Sequence, residues 1–236
     1  MLSMFQPALS TRPSVCTDCT AREFSICSAL PEAVLGEFAA LGRNQTLRAG
    51  ETLLWEDEDA LVVGNLRSGL LKLTASLDDG REQILGLAFP GDFIGRPFAT
   101  RADHRVTALT DATLCVFRRS VFESFAADHP RLEHALLVRA FDELEQARRW
   151  LLLLGRKSAS ERVASLLQEL AQRQGKPGEP VQLAITRQQM ADLLGLTIET
   201  VSRKLTLLKR AGVIALPNLR SFRVLDRERL ADEAGG

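Results

Sequence analysis

The sequence predicts an α+β chain in three parts: a β-rich first half folded as an antiparallel barrel or sandwich, one long helix, and a compact helical unit ending in a β-hairpin. Three observations predict it. Short β-type runs at even spacing, broken by Gly, Asp and Pro turns, fill residues 47–117. The hydrophobic period turns helical at Pro130, and residues 186–208 alternate apolar and polar positions as two short helices joined by a glycine turn. At 236 residues and 45% hydrophobic composition, the chain is long enough for two modest domains with real cores.

Residues 1–29 are irregular, with Pro7, Pro13, many Ser and Thr, and Cys16, Cys19 and Cys27 close together, and are expected to be an appendage rather than part of the core. No apolar run approaches the roughly 20 residues of a membrane helix. The longest, residues 150–154, has five, which excludes membrane insertion. The N-terminus lacks the basic patch, apolar run and small-residue cleavage site of a signal peptide, so a cytoplasmic, reducing environment is expected, without disulfide scaffolding.

The expected strands include residues 52–55, 69–74, 83–87 and 112–117, with turns at 48–50, 78–80 and 89–92. The acidic run 56–59 reads as a solvated turn and residues 78–82 as a hairpin tip.

From Pro130 a helix carries Leu137, Ala140, Leu144, Ala147, Leu151 and Leu154 at spacings of 3, 4, 3, 4 and 3. This a/d stripe of about two and a half heptads either packs on its own β domain or pairs with a second copy. In the paired register Glu143 is a g position and Arg148 the e position five residues on, placed to bridge between subunits. Leu136, Phe141 and Trp150, off the stripe, are free to hold the helix to its own domain. The next helix, residues 160–174, enters through Ser158 or Ser160 as N-cap and stops at the Gly175 and Gly178 turn.

Residues 186–208 have the grammar of a helix-turn-helix. Ala191 is small where two helices cross, Gly195 supplies the turn and Thr197 caps the second helix, while Met190, Leu194, Val201 and Leu205 join the apolar faces. Glu199, Ser202 and Arg203 share the opposite face near the second helix's N-terminal half, the part that enters a major groove in this motif. Arg can bridge guanine O6 and N7, and Glu can accept from the cytosine amino group, so the pair can read a G·C pair. Residues 212–225 read as a hairpin wing that sets Arg220 and Arg223 over phosphates. Charge agrees with this division. Residues 1–146 carry 14 Lys+Arg against 21 Asp+Glu, a net of −7, and residues 147–236 carry 16 against 9, a net of +7. Only the second half suits a polyanion. Gly-rich phosphate loops, nucleophile elbows and His-Glu-x-x-His patterns are absent from the sequence, so no enzyme is expected.

With its β domain, long helix, winged helix-turn-helix and the segment LGLTIETVSRKL, the chain resembles the CRP/FNR superfamily of transcription regulators from about Leu30 to Leu230. The resemblance implies a jelly-roll β-roll of the cyclic-nucleotide-binding type as sensor, residues 30–127, after the extension 1–29. A dimerisation helix at 128–157 and a winged helix-turn-helix domain at 158–236 follow. It implies a cytoplasmic homodimer on double-stranded DNA, with Glu199 and Arg203 as base-reading residues. Arg187, Thr197 and Thr200 would flank them on the DNA side. Ile198 and Ser202 resemble the E-x-x-S-R reading head of the FNR branch, which implies a target similar to the palindrome TTGAT-N4-ATCAA. Contact of exposed loops such as residues 78–82 with RNA polymerase is likewise implied.

A cyclic nucleotide requires a Glu for the ribose and an Arg-Ser pair for the phosphate, and here Arg96 replaces the Glu and Val106 follows Arg105 where Ser is needed, so no cyclic nucleotide is expected. Haem needs axial ligands, and the three histidines, His104, His129 and His134, form no such set. There remain Cys16, Cys19 and Cys27, with gaps of two and seven residues, and Cys115 in the last strand. Four thiolates hold zinc or an iron-sulfur cluster, and spacing does not decide between them. The resemblance implies a 4Fe-4S cluster. FNR-type oxygen sensors have three cysteines in an N-terminal extension and a fourth in the β domain, and the seven-residue gap is similar to that of the FnrN/FnrL group.

Overall fold

The computed structural model describes Cys16 and residues 19–175 and 179–235. Strand β8 (Ala112–Arg118) shows why the first half is a sheet protein. Its Ala112, Leu114 and Val116 point to one face and are buried, while Cys115 and Phe117 point to the other. It pairs with β1 (Arg43–Leu47) and β3 (Val62–Ser68), and β6 (Phe93–Ile94) completes an antiparallel sheet in the order β1-β8-β3-β6. A second sheet holds β2 (Thr52–Leu54), β7 (Arg105–Ala108), β4 (Leu71–Ser76) and β5 (Glu82–Ala88) in the order β2-β7-β4-β5. Leu47, Leu54, Leu66, Leu71, Val106 and Leu114 fill the space between them. The expected β-roll is therefore present, with more strands than the sequence signalled. β3 was hidden because Gly64, Asn65 and Arg67 interrupt its apolar pattern although residues 63–66 are all buried.

The outer face of the first sheet carries a second core. Val63, Phe117 and the partly buried Cys115 are covered there by α1 (Glu32–Leu41), α2 (Arg119–Ala127) and the start of α3 (Pro130–Arg156) through Leu35, Phe38, Phe122 and Leu132. The Phe38 ring stacks on Phe117 at 4.3 Å between centroids. Two short 3-10 turns, Arg22–Phe24 and Ile26–Ala29, belong to this layer. The expectation that residues up to 29 lie outside the core is corrected for their last part: Ala21 and Ile26 are buried like Leu30, because the outward Phe117 and Val63 need a cover.

Helix α3 is 27 residues long, about 40 Å. Leu137, Leu144 and Leu151 are 55%, 45% and 72% exposed, Ala140 and Ala147 are exposed too, and Leu154 packs partly on the C-terminal core. Leu136 and Trp150 hold the helix to its own chain as expected, but Phe141 is 62% exposed and joins the open stripe instead. Glu143 is exposed, and it borders a groove of about 620 Å³ between α3 and the β-roll with Asp92, Phe93 and Arg139, where partial desolvation and then the charge of Asp92 push its carboxyl pKa up.

The C-terminal unit comprises α4 (Ala159–Gln174), β9 (Val181–Gln182), α5 (Arg187–Leu194), α6 (Ile198–Arg210), β10 (Ile214–Asn218), β11 (Ser221–Val224) and α7 (Arg227–Glu233). Ser158 caps α4 in a capping box with Glu161, which settles the choice of N-cap. The expected hairpin is the β10-β11 pair, and β9 adds a third strand beside β11 that two residues could not announce by periodicity. Leu70, Ile84 and Phe89 of the β-roll enter the core of this unit, Arg173 pairs with Asp92 at 2.5 Å, and Gln83 donates to the carbonyl of Asp192 at 2.8 Å.

Candidate nucleic-acid interface and thiol site

Helix α5 begins at Thr186, capped with Gln189, and ends at Gly195 with φ 61° and ψ 42°. That left-handed conformation suits glycine and turns the chain into α6. Thr197 accepts from the Thr200 N–H at 3.3 Å and starts the second helix. Met190, Ala191, Leu194, Val201 and Leu205 are all buried between the two helices. Packing one face this way leaves the other outside. Glu199, Ser202 and Arg203 are exposed together, with Ile198 at their edge. The Glu199 carboxyl is held below its usual range by its own backbone N–H and by the Thr197 hydroxyl, so it is an ionised acceptor.

Arg220, in the turn between β10 and β11, and Arg223, on β11 opposite Ala215, are exposed as the wing reading expects. Thr200 is partly buried and its hydroxyl accepts from Thr197, so its first task is the cap. Arg187 is only partly exposed and donates to the Met190 sulfur at 3.5 Å, which turns its guanidinium back onto its own helix. Arg162 has no mark in the sequence that could have announced its role. It donates to the carbonyls of Lys157, Leu194 and Leu154 at 2.9, 2.9 and 2.7 Å, and so joins the end of α3 to the turn of the helix-turn-helix.

Three of the four cysteines border the layer on the outer face of β8. All four are free thiols of intermediate exposure, and Cys16, Cys27 and Cys115 border the same apolar layer. Burial, then neighbouring thiol charge, pushes Cys16 and Cys27 up in pKa, and Cys115 is pushed up to about 12, first by burial and then by Cys27 and Cys16. The two sequence-distant sources are thus within electrostatic reach of each other. Among the described residues no group of three or more His, Cys, Asp or Glu side chains is drawn together tightly enough to hold a metal ion.

The chain approaches Cys115 closely. A Cβ on Gly42 would lie 3.1 Å from its sulfur and 2.7 Å from the Phe117 ring, so only glycine fits there without a shift. Asn65 and Asn44 flank Cys115 in register from β3 and β1, and the Asn65 amide donates to Cys27 Sγ at 3.6 Å. Sequence reasoning missed Asn65, whose only signal was a polar residue inside an apolar run. On the other side of the layer Arg139 of α3 donates to the Phe24 carbonyl.

A β-roll, an α3 with an open apolar stripe, and a winged helix-turn-helix with an exposed reading face define a DNA-binding transcription regulator. A family profile for a Crp-like helix-turn-helix domain matches residues 161–233, and one for a cyclic nucleotide-binding domain matches residues 44–129. The transcriptional activator protein FnrL of Cereibacter sphaeroides is 40% identical over 227 residues, covering 93% of this chain and 92% of its own. The nitrogen fixation regulation protein FixK of Bradyrhizobium diazoefficiens is 40% identical over 205 residues, covering 85% and 86%. The structure of FixK2 from Bradyrhizobium japonicum superposes with a TM-score of 0.77 at 32% identity, over 81% of this chain and 96% of that one. The chain belongs to the CRP/FNR family of transcription regulators, in its FNR/FixK branch. Its helix-turn-helix binds DNA, its family acts as dimers, and it is not a family of enzymes. No helix among the described residues is long and apolar enough to cross a membrane.

Proposed function

We propose that this chain is an oxygen-responsive, cytoplasmic transcription activator of the anaerobic or microaerobic response, with Cys16, Cys19, Cys27 and Cys115 as thiolate ligands of a 4Fe-4S cluster. The observation that carries the reading is that Cys16, Cys27 and Cys115 border one apolar layer on the outer face of β8, with Cys19 within electrostatic reach. The donor set fits. Four thiolates suit a cluster, and the resemblance of the cysteine pattern to that of the FNR branch favours it over zinc. When bound, the cluster supplies lability to oxygen at a partly exposed site.

The residues of the chain supply the rest. Ile26 shares a core with Leu132 and Phe24 accepts from Arg139, so thiolates at Cys27 and Cys115 held to one group would keep the two 3-10 turns against α3. Those contacts, at Leu132 and Arg139, flank Leu137, the first residue of the open stripe, so holding them favours the helix position that pairs with a second α3. Pairing sets two reading heads of Glu199, Ser202 and Arg203 on the half-sites of a palindrome similar to TTGAT-N4-ATCAA, and two linked heads bind far more tightly than one. Arg220 and Arg223 add phosphate contacts, and the exposed hairpin tip 78–82 is the surface proposed for RNA polymerase. A cyclic nucleotide is not part of this reading. Arg96, in place of an acidic ribose ligand, pairs with Asp103 at 2.7 Å, and Val106 is in the core.

The deciding experiment is anaerobic reconstitution with iron and sulfide analysis, followed by air exposure and operator binding. A brown protein with about four irons and four sulfides per chain, losing colour, dimerisation and operator affinity together in air, is expected. A colourless protein carrying one zinc, or one that responds through a Cys16-Cys19 disulfide, would replace the cluster with a zinc- or thiol-based sensor.

A further inference from the structure

Asn65 is 3% exposed, on the strand beside Cys115, and its Cα is in register with that cysteine. Its side-chain Nδ2 donates to Cys27 Sγ at 3.6 Å, and its Oδ1, also buried, has no hydrogen-bond partner among the described residues. Asn44, the other neighbour of Cys115, is exposed and accepts from Arg67 at 3.0 Å. A buried amide with one oxygen unmet is a poor structural choice, since the same space filled by an apolar side chain would avoid the desolvation. The sulfur explains it. A bond from N–H to a neutral thiol is weak, and the same bond to a thiolate is charge-assisted and roughly twice as strong as a neutral one. The reverse orientation would set an oxygen against the thiolate and repel it. The amide therefore gains its partner's full strength only when Cys27 is ligated.

We propose that Asn65 is a positioning residue of the thiolate site, holding Cys27 Sγ in its ligating orientation and setting how long the site retains its cluster in oxygen. The inference rests on the cluster reading above. Cys27 is the link that matters most here, because it is carried by the 3-10 turn that packs on α3 while Asn65 is fixed in the sheet. One amide thus ties the 3-10 turn to the sheet at a sulfur. Groups that orient ligands in this way typically change metal retention by about 10-fold or more when removed.

The test compares wild type with Asn65→Leu, which removes the donor and keeps the space filled, and Asn65→Asp, which keeps the shape and replaces the donor with a carboxylate. Each protein is reconstituted anaerobically with iron and sulfide, its visible absorbance is followed after mixing with air-saturated buffer, and its Fe–S(Cys) stretching bands are recorded by resonance Raman. Wild type is expected to hold about four irons, and both variants to lose absorbance about 10-fold faster, with a shifted Fe–S(Cys) band and an unchanged far-ultraviolet circular dichroism spectrum. If Asn65→Leu does not fold, the isosteric Asn65→Asp decides alone. Equal decay and unshifted bands in a folded variant that loads like wild type would overturn the role of Asn65 and leave the cluster reading standing. A wild type that takes up no iron would overturn the cluster reading itself, and the role of Asn65 with it.

Discussion

Arg139 of α3 donates a hydrogen bond to the backbone carbonyl of Phe24, three residues before Cys27. This bond ties the cysteine-bearing segment to the helix whose open stripe begins at Leu137, and gives the proposed signal a short physical route. Arg139→Ala is expected to leave metal loading intact and to reduce the difference in dimer dissociation constant between loaded and metal-free protein. Coupling between sites is typically about 1–3 kcal/mol, so loss of one tie is measurable by sedimentation. An undiminished difference would place the route in the apolar contacts of Ile26 with Leu132.

The stripe itself contains Phe141 as well as Leu144. Both are exposed in the single chain, so a charge at either costs the monomer little and costs a pair of packed helices a great deal. Leu144→Glu and Phe141→Glu are each expected to give a folded monomer at micromolar concentration that still loads metal, checked by sedimentation equilibrium and iron analysis. A dimer that survives Leu144→Glu would mean that α3 pairs through another face.

At the DNA face, Arg203 and Arg223 have different tasks. Arg203→Ala should cost roughly 1–3 kcal/mol on the specific operator and relax the preference at one base pair. Arg223→Ala, on the wing, should weaken specific and random DNA alike and lower the salt slope by about one. Fluorescence anisotropy across salt concentrations on both DNAs separates them, and equal behaviour of the two variants would contradict the assignment.

The helix-turn-helix was legible because each special position has a local cause: a cap at Thr197, a left-handed glycine at 195, a small Ala191 at the crossing. The stripe was legible for its period, but not which way Phe141 faces, since a helix of 3.6 residues per turn gives the neighbours of the seam similar claims until the β-roll is in place. Cys115 was legible as a fourth thiol by resemblance. Its surroundings were not, because Asn65, Gly42 and the 3-10 turns reach it from distant parts of the chain, and no local pattern encodes that approach.

The thiols also make stability depend on pH. In the metal-free protein Cys115 has a pKa raised from 9.0 to about 12 by burial and by its neighbours, and Cys16 and Cys27 are raised in the same direction. Below pH 9 the folded and unfolded chains both keep the Cys115 proton and its contribution to stability is whole. Between about pH 9 and pH 12 the unfolded chain has released the proton and the folded chain has not, so the unfolded state binds fewer protons and stability falls as pH rises. At pH 10 the loss from this thiol is about 1 kcal/mol. Urea unfolding of metal-free wild type at pH 7.5 and pH 10 should show that drop, and metal-free Cys115→Ala should show a smaller one. Equal drops would mean that the Cys115 thiol is not held protonated by the fold. The same protons oppose ligation, because thiolates and not thiols bind metal, so loading should be faster at pH 8.5 than at pH 7, and the dependence should weaken in Cys115→Ala.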